Sequence, residues 1–152
     1  MSCKTGCSSA LSRHLDETLP MINQLTDNVV MSEPYEEGRP LGEIILHMLR
    51  SIEYYLRGVV ENNWDPLPYS LDEYRTAEMI RTLATEVFSR AKQYIADLDS
   101  VDLLRESNSF NRPATVAEIL HEMLEHSVHH RGQLTVYYRL LGIAPVQIQY
   151  IV

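Results

Sequence analysis

Apolar residues in this chain recur at spacings of three and four, and no stretch alternates with period two long enough to suggest a sheet. That periodicity marks helices with one buried face. Over residues 9–29 the stripe is Leu11, Leu15, Leu19, Ile22, Leu25 and Val29. Pro20 falls inside it, off the apolar face, where it removes a backbone donor and clashes with the preceding turn. A kink or a split is expected there. Residues 40–60 carry the cleanest stripe, Leu41, Ile44, Ile45, Met48, Leu49, Ile52, Tyr55, Leu56 and Val59, with Pro40 as the first helical residue. Residues 71–98 place Ile80, Leu83, Val87, Phe88, Ala91, Tyr94, Ile95 and Leu98 on one face, opened by a Ser70/Glu73 capping box. Residues 116–141 begin behind a second box, Thr115/Glu118, and stop at Gly142.

Four one-faced helices in 152 residues predict an all-α four-helix bundle. A single domain is expected over residues 9–152, behind a flexible tail over residues 1–8. Residues 61–69 hold Trp64, Pro66 and Pro68, and the prolines favour an extended path. Such a path spans roughly 30 Å, about the length of a 20-residue helix. Helices two and three can therefore run parallel, joined by a crossover. The apolar residues 146–152 are expected to pack back on the bundle.

Charge narrows the partners. Lys and Arg number 13 against 21 Asp and Glu, a net −8 that repels phosphate backbones and argues against a nucleic-acid partner. No run approaches the ~18 apolar residues of a membrane span. Residues 1–10 hold one Lys and no apolar core of a secretory signal, so a soluble, cytoplasmic protein is expected. Cys3 and Cys7 read as reduced thiols, with a redox or metal pair as the alternative.

Four of the six histidines fall within ten residues of the last helix: His121, His126, His129 and His130. At 100° per residue, His130 lies roughly 40° from the centre of the apolar stripe and His126 roughly 80° on the same side. His121 and His129 lie roughly 140° away, on solvated flanks. His126 and His130 are one turn apart and can reach one metal ion. Zinc proteases use this spacing in H-E-x-x-H, but Ser127, Val128 and His129 supply no glutamate, which argues against that reading.

The third ligand must come from another helix. His47 is one candidate, roughly 130° from the centre of its own stripe, on a polar face shared with Glu43, Ser51 and Tyr54. His14 on the first helix is the other. Three imidazoles leave a coordination position for water, the arrangement of catalytic rather than structural zinc. Such an ion activates water, polarises a substrate or holds a thiolate. Glu122, four residues before His126, is a candidate to orient a ligand. Arg131 falls roughly 60° from the stripe centre on the other side and needs a partner such as a helix-end carbonyl or a carboxylate.

The run His126-Ser-Val-His-His130-Arg131-Gly132-Gln133 resembles the H-x3-H-R-G-Q signature of the DinB/YfiT-like family. The segment from Glu118 to His126, the segment from Leu46 to Gly58, and Leu141-Gly-Ile-Ala-Pro145 with Gln149-Tyr150 are similar to the family's other landmarks. The resemblance implies an up-down-down-up bundle, commonly a homodimer, with a three-histidine divalent site that often holds zinc or nickel. It places the ligands on His47, His126 and His130. Characterised relatives are S-transferases that join bacillithiol or mycothiol to electrophiles.

The expected function is therefore a metal-dependent transferase acting on a low-molecular-weight thiol and a small electrophile. Glu43, Tyr54 and Trp64 are candidates for the substrate rim. A metal-dependent hydrolase and a non-catalytic, stress-induced metal- or ligand-binding dimer are the alternatives, and a fourth protein ligand such as Glu43 would favour the last.

Overall fold

The computed structural model describes residues 3–107 and 112–148, with side chains from Ser8 onward. Its helices are α1 (Cys3–Ile22), α2 (Asp27–Val30), α3 (Leu41–Glu61), α4 (Ala77–Asp97) and α5 (Val116–Leu140). The backbone is helical from Cys3, ahead of the expected start at Ser9. The expected roles of Cys3 and Cys7 lie outside the described side chains.

The first stripe is split, as Pro20 led us to expect, but just downstream of the proline. α1 runs through Pro20 to Ile22 and the chain restarts as α2. The break is held from a distance: Tyr138 donates its hydroxyl to the Met21 carbonyl (2.8 Å), satisfying a last-turn acceptor.

Side-chain contacts set the helix directions. Ala77 N–H donates to Asp27 Oδ1 (2.7 Å), and Leu41 N–H to the Ser32 carbonyl (3.0 Å), so α3 and α4 both start beside α2. At their far ends Tyr94 donates to Glu61 (2.9 Å). α3 and α4 are therefore parallel. Lys92 pairs with Asp16 and Arg81 donates to the Leu25 carbonyl, which sets α1 antiparallel to α4. His14 meets Ser127 and Met21 meets Tyr138, which sets α1 parallel to α5. The order is up-down-down-up, and the segment between α3 and α4 is the long crossover.

α3 packs against α2, α4 and α5. Its whole predicted stripe is buried except Tyr55, which is half-buried against the core. Each such leucine, isoleucine or methionine contributes about 1.5–3 kcal/mol of burial.

α4 starts at Ala77, not at Leu71. Ser70 and Glu73 form a turn instead of a capping box, with the Glu73 and Tyr74 N–H groups donating to the Ser70 carbonyl. Thr76 is the cap, accepting from Met79 N–H (3.2 Å), and Asp27 takes the first-turn donor of Ala77. A partner on α2 thus decides where α4 begins. The second box is as read, with both Thr115 and Glu118 bonds present. α5 closes on Gly142 at φ 77°, with Ile143 N–H reaching the Tyr138 carbonyl (2.8 Å) and Gly142 N–H the Arg139 carbonyl (3.1 Å). Two short strands, β1 (Glu106–Ser107) and β2 (Ala114–Thr115), pair antiparallel before α5 and are too short to show alternation. Beyond α5, Gln24 bonds Ala144 and Val146, and Ile143 and Ile148 pack on the core. The last four residues of the expected tail lie outside the described residues.

The crossover is fastened by an ion pair whose carboxylate is buried. Glu53 is 6% exposed and accepts from Arg90 Nε (2.8 Å) and Nη2 (3.0 Å) and from the Tyr69 hydroxyl (2.7 Å). Arg50 donates to the Tyr69 carbonyl. Further along, Trp64 lies on Gly58, where an added methyl would fall 2.4–2.6 Å from the indole. We expect Gly58→Ala to displace this single tryptophan, shift its emission and cost about 1–3 kcal/mol by overpacking. An unchanged spectrum and denaturation midpoint would contradict this packing.

Candidate metal centre

His47 lies in the second turn of α3 and His126 and His130 on successive turns of α5. Antiparallel packing of these two helices brings the three rings together at the polar edge of the interface. His126 Nε2 lies 3.1 Å from His47 Nε2 and 3.1 Å from His130 Nε2. One nitrogen from each ring falls within 4.8 Å of the others. Zinc–nitrogen bonds of about 2.0–2.1 Å in a tetrahedron separate ligand nitrogens by about 3.3 Å, so the cluster fits a divalent ion.

The chemistry of the donors agrees. His130 Nδ1–H donates to Gln133 Oε1 (2.7 Å), which leaves Nε2 with its lone pair toward the other rings. Arg50 Nη2 approaches His47 Nδ1 at 3.5 Å, too long to set that tautomer, and is held by Glu43 Oε1 at 2.8 Å. Burial, the His130 ring and the Arg50 and Arg39 charges push the His47 pKa down to about 4. Burial and the His130 and His47 rings push His126 down to about 4, and burial lowers His130 as well. All three imidazoles are neutral at pH 7, the form that binds metal.

His14, the competing ligand candidate, stands elsewhere. It is buried, with Nε2 2.6 Å from Ser127 Oγ and Nδ1 3.1 Å from Arg131 Nη1. Since the guanidinium only donates, Nδ1 accepts and Nε2–H donates to Ser127. A partner for Arg131 is thus this imidazole, neither of the groups expected from the sequence. Burial, reinforced by Arg131, lowers the His14 pKa to about 4. The unfolded imidazole takes its proton near pH 6.5, so between about pH 6.5 and 4 the unfolded chain binds more protons. His14 thus makes stability fall with pH across that window, by about 1.4 kcal/mol per unit, and has no such effect above it. The denaturation midpoint of His14→Gln should fall less steeply from pH 7 to pH 5 than that of the unaltered protein. Equal slopes would remove His14 from this account.

The remaining expected residues divide. His121 and His129 are exposed. Glu122 pairs with Arg112, and the buried Nδ1 of His126 has no hydrogen-bond partner among the described residues, so Glu122 does not orient that ring. Glu43 is held by Arg50 and does not join the cluster, and among the described residues no fourth Asp, Glu, Cys or His does. Tyr54 and Trp64 meet edge-on, ring centroids 5.3 Å apart, in the wall of a cavity of about 660 Å³ that also includes His47, Arg50, Tyr69 and the crossover prolines. A second cavity of about 370 Å³ is also lined by His47, together with Tyr35, Arg39, His130, Gln133 and Tyr137. Sequence reasoning missed Gln133 as a partner of His130, although the i, i+3 spacing on one helix announces it. It also missed Arg39, Arg50 and Tyr35, which no periodicity marks.

A family model, the DinB family, matches residues 1–152. The chain belongs to the DinB family. Similar to it is the uncharacterized protein YjoA of Bacillus subtilis (strain 168), 25% identical over 132 residues, covering 85% of this chain and 84% of YjoA. Among solved structures, a DinB-like protein from Bacillus cereus superposes with a TM-score of 0.80 at 23% identity, covering 95% of this chain and 96% of that one. The DinB-like YjoA structure gives 0.78 at 21% identity, covering 94% and 96%. At these identities the structural likeness establishes a shared DinB fold. No helix among the described residues is long and apolar enough to cross a membrane.

Proposed function

We propose that this DinB chain is a metal-dependent transferase that joins a low-molecular-weight thiol to a small electrophile. One divalent ion, zinc or nickel, would be held by His47, His126 and His130. The observation that carries the reading is a cluster of three neutral imidazoles that adjoins two cavities through the shared His47. Two cavities suit two substrates, and a site with no fourth protein ligand among the described residues suits the entry of one of them.

A bound ion would supply Lewis acidity at that open position, favouring the thiolate over the thiol at neutral pH. The chain's own groups do the rest. Gln133 holds the His130 proton on Nδ1, away from the cluster. Tyr54, Trp64 and Leu67 give the larger, open cavity an apolar wall that suits an uncharged electrophile. The Glu53–Arg90–Tyr69 network holds that wall in place. The −8 charge supports small-molecule partners rather than nucleic acid. A thiol co-substrate suits the reducing cytoplasm, and exposed Val128, Val136 and Leu140 on one side of α5 support a homodimer.

The test is thiol consumption with 1-chloro-2,4-dinitrobenzene, where the thiolate sulfur bonds to the ring carbon and chloride leaves. Loss of thiol should exceed the uncatalysed rate, stop on chelation and return with zinc or nickel. Absence of metal-dependent consumption across a panel of small thiols would overturn the reading.

A further inference from the structure

The smaller cavity is polar where the larger is aromatic. Its wall combines the Tyr35 and Tyr137 side chains, the Gln133 amide, two imidazoles of the cluster and the exposed His129. Arg39 stands at this wall with its backbone anchored, its N–H donating to the Tyr137 hydroxyl (3.2 Å). Its guanidinium has no hydrogen bond or ion pair among the described residues, whereas Arg50 and Arg90 are each paired with a glutamate. The Arg39 charge is felt at both His47 and His130. Glu37, held at φ 62°, is the one carboxylate among the residues that line this wall, and it forms no ion pair with Arg39.

A guanidinium at a wall shared with two imidazoles of the cluster, and in no ion pair among the described residues, is placed to take an anion from outside. We propose that Arg39 is the carboxylate-recognition residue of the smaller cavity, so that the thiol this protein selects is an anionic one. The proposal rests on the transferase reading for the thiol and on the cavity alone for the carboxylate. The ligand lies with its sulfur toward the His47–His126–His130 cluster and its carboxylate on Arg39. The Tyr35 hydroxyl and the Gln133 amide nitrogen are the further donors within the same wall, the Tyr137 hydroxyl being bonded to Tyr35. A guanidinium is suited to this task because it presents a planar fork that matches a carboxylate. A cavity of about 370 Å³ accommodates a molecule of a few carbons and leaves the larger cavity to the electrophile.

The experiment compares small thiols of different charge on cobalt-loaded protein, read by the sulfur-to-cobalt absorption band. The probes are 3-mercaptopropionate, 2-mercaptoethanol and cysteamine. The carboxylate thiol should bind about fivefold more tightly than the neutral one, equivalent to about 1 kcal/mol, and cysteamine more weakly than both. In Arg39→Gln the ratio of carboxylate to neutral thiol should fall to about one. A second arm omits both metal and sulfur: succinate is titrated into metal-free protein and followed by NMR, with saturable shifts expected and lost in Arg39→Gln. Thiol binding with no charge preference, or a preference that survives Arg39→Gln, overturns the proposal and leaves the transferase reading standing. Absence of a sulfur band with every thiol counts against the transferase reading, and the succinate arm then decides on Arg39 by itself. No saturable succinate binding there overturns the carboxylate site.

Discussion

The protein carrying both His126→Ala and His130→Ala should purify without bound metal, whereas the unaltered protein should take up about one zinc or nickel ion per chain. Only the single imidazole of His47 would remain, and one such ligand does not retain a divalent ion through dialysis. Structural zinc sites with four ligands are worth about 10–16 kcal/mol at pH 7, so loss of two donors out of three removes several kcal/mol. Thermal unfolding offers a second reading of the same result. A ligand at 100 times its Kd adds about 2.7 kcal/mol of stability, so zinc should raise the Tm of the unaltered protein and leave that of the double variant where it was. The metal-free fold should tolerate the change well. His126 is only partly buried, and its Nδ1 has no hydrogen-bond partner among the described residues, so removing that ring also removes an unsatisfied polar atom. Uptake of one ion per chain by the double variant would place the metal elsewhere, and the three-histidine centre would fail with it.

Arg90→Met should be the most destabilising of the single changes considered. It leaves the Glu53 carboxylate 6% exposed with only the Tyr69 hydroxyl for company. Removing one partner of a buried ion pair costs about 3–5 kcal/mol, because the remaining charge stays desolvated. The Arg90 side chain is itself 41% exposed, which puts the expected loss near the lower end, about 3 kcal/mol. That is a large share of the 5–15 kcal/mol that holds a typical domain. The companion double variant, Glu53→Leu with Arg90→Met, should recover much of the loss by removing the stranded charge as well. Urea midpoints for the two singles and the double measure the coupling directly. A loss below about 1 kcal/mol for Arg90→Met would mean that solvent screens the pair. The network would then have no part in holding the crossover against α3 and α4.

Helix faces were legible in the sequence wherever a local rule sets the answer. The α3 stripe, the Thr115/Glu118 cap and the stop at Gly142 depend on residues within a turn or so of each other, and all three stand as read. So does the shared face of His126 and His130, because one helix turn is enough to stack two rings. Ser70 and Glu73 show the limit. They satisfy the same local pattern as Thr115 and Glu118, yet α4 begins at Thr76, where Asp27 from another element takes an N–H of the first turn. Sequence spacing carries no information about a donor met across the bundle.

The site divides along the same line. The sequence by itself determined that this chain makes a bundle of one-faced helices, that two histidines of the last helix share a side, and that the chain carries the landmarks of the DinB family. Tertiary structure decided which third imidazole joins them. His47 and His14 were both open to that role from helix geometry, and the antiparallel contact of α3 with α5 brought in the first while Ser127 and Arg131 took up the second. It also decided that Glu43 and Glu122 go to Arg50 and Arg112, and that Arg39 stands beside the cluster in no ion pair among the described residues. The reason is physical: apolar periodicity is enforced residue by residue by the hydrophobic effect, whereas a charged or imidazole side chain takes its partner from whatever packing brings within a few ångströms.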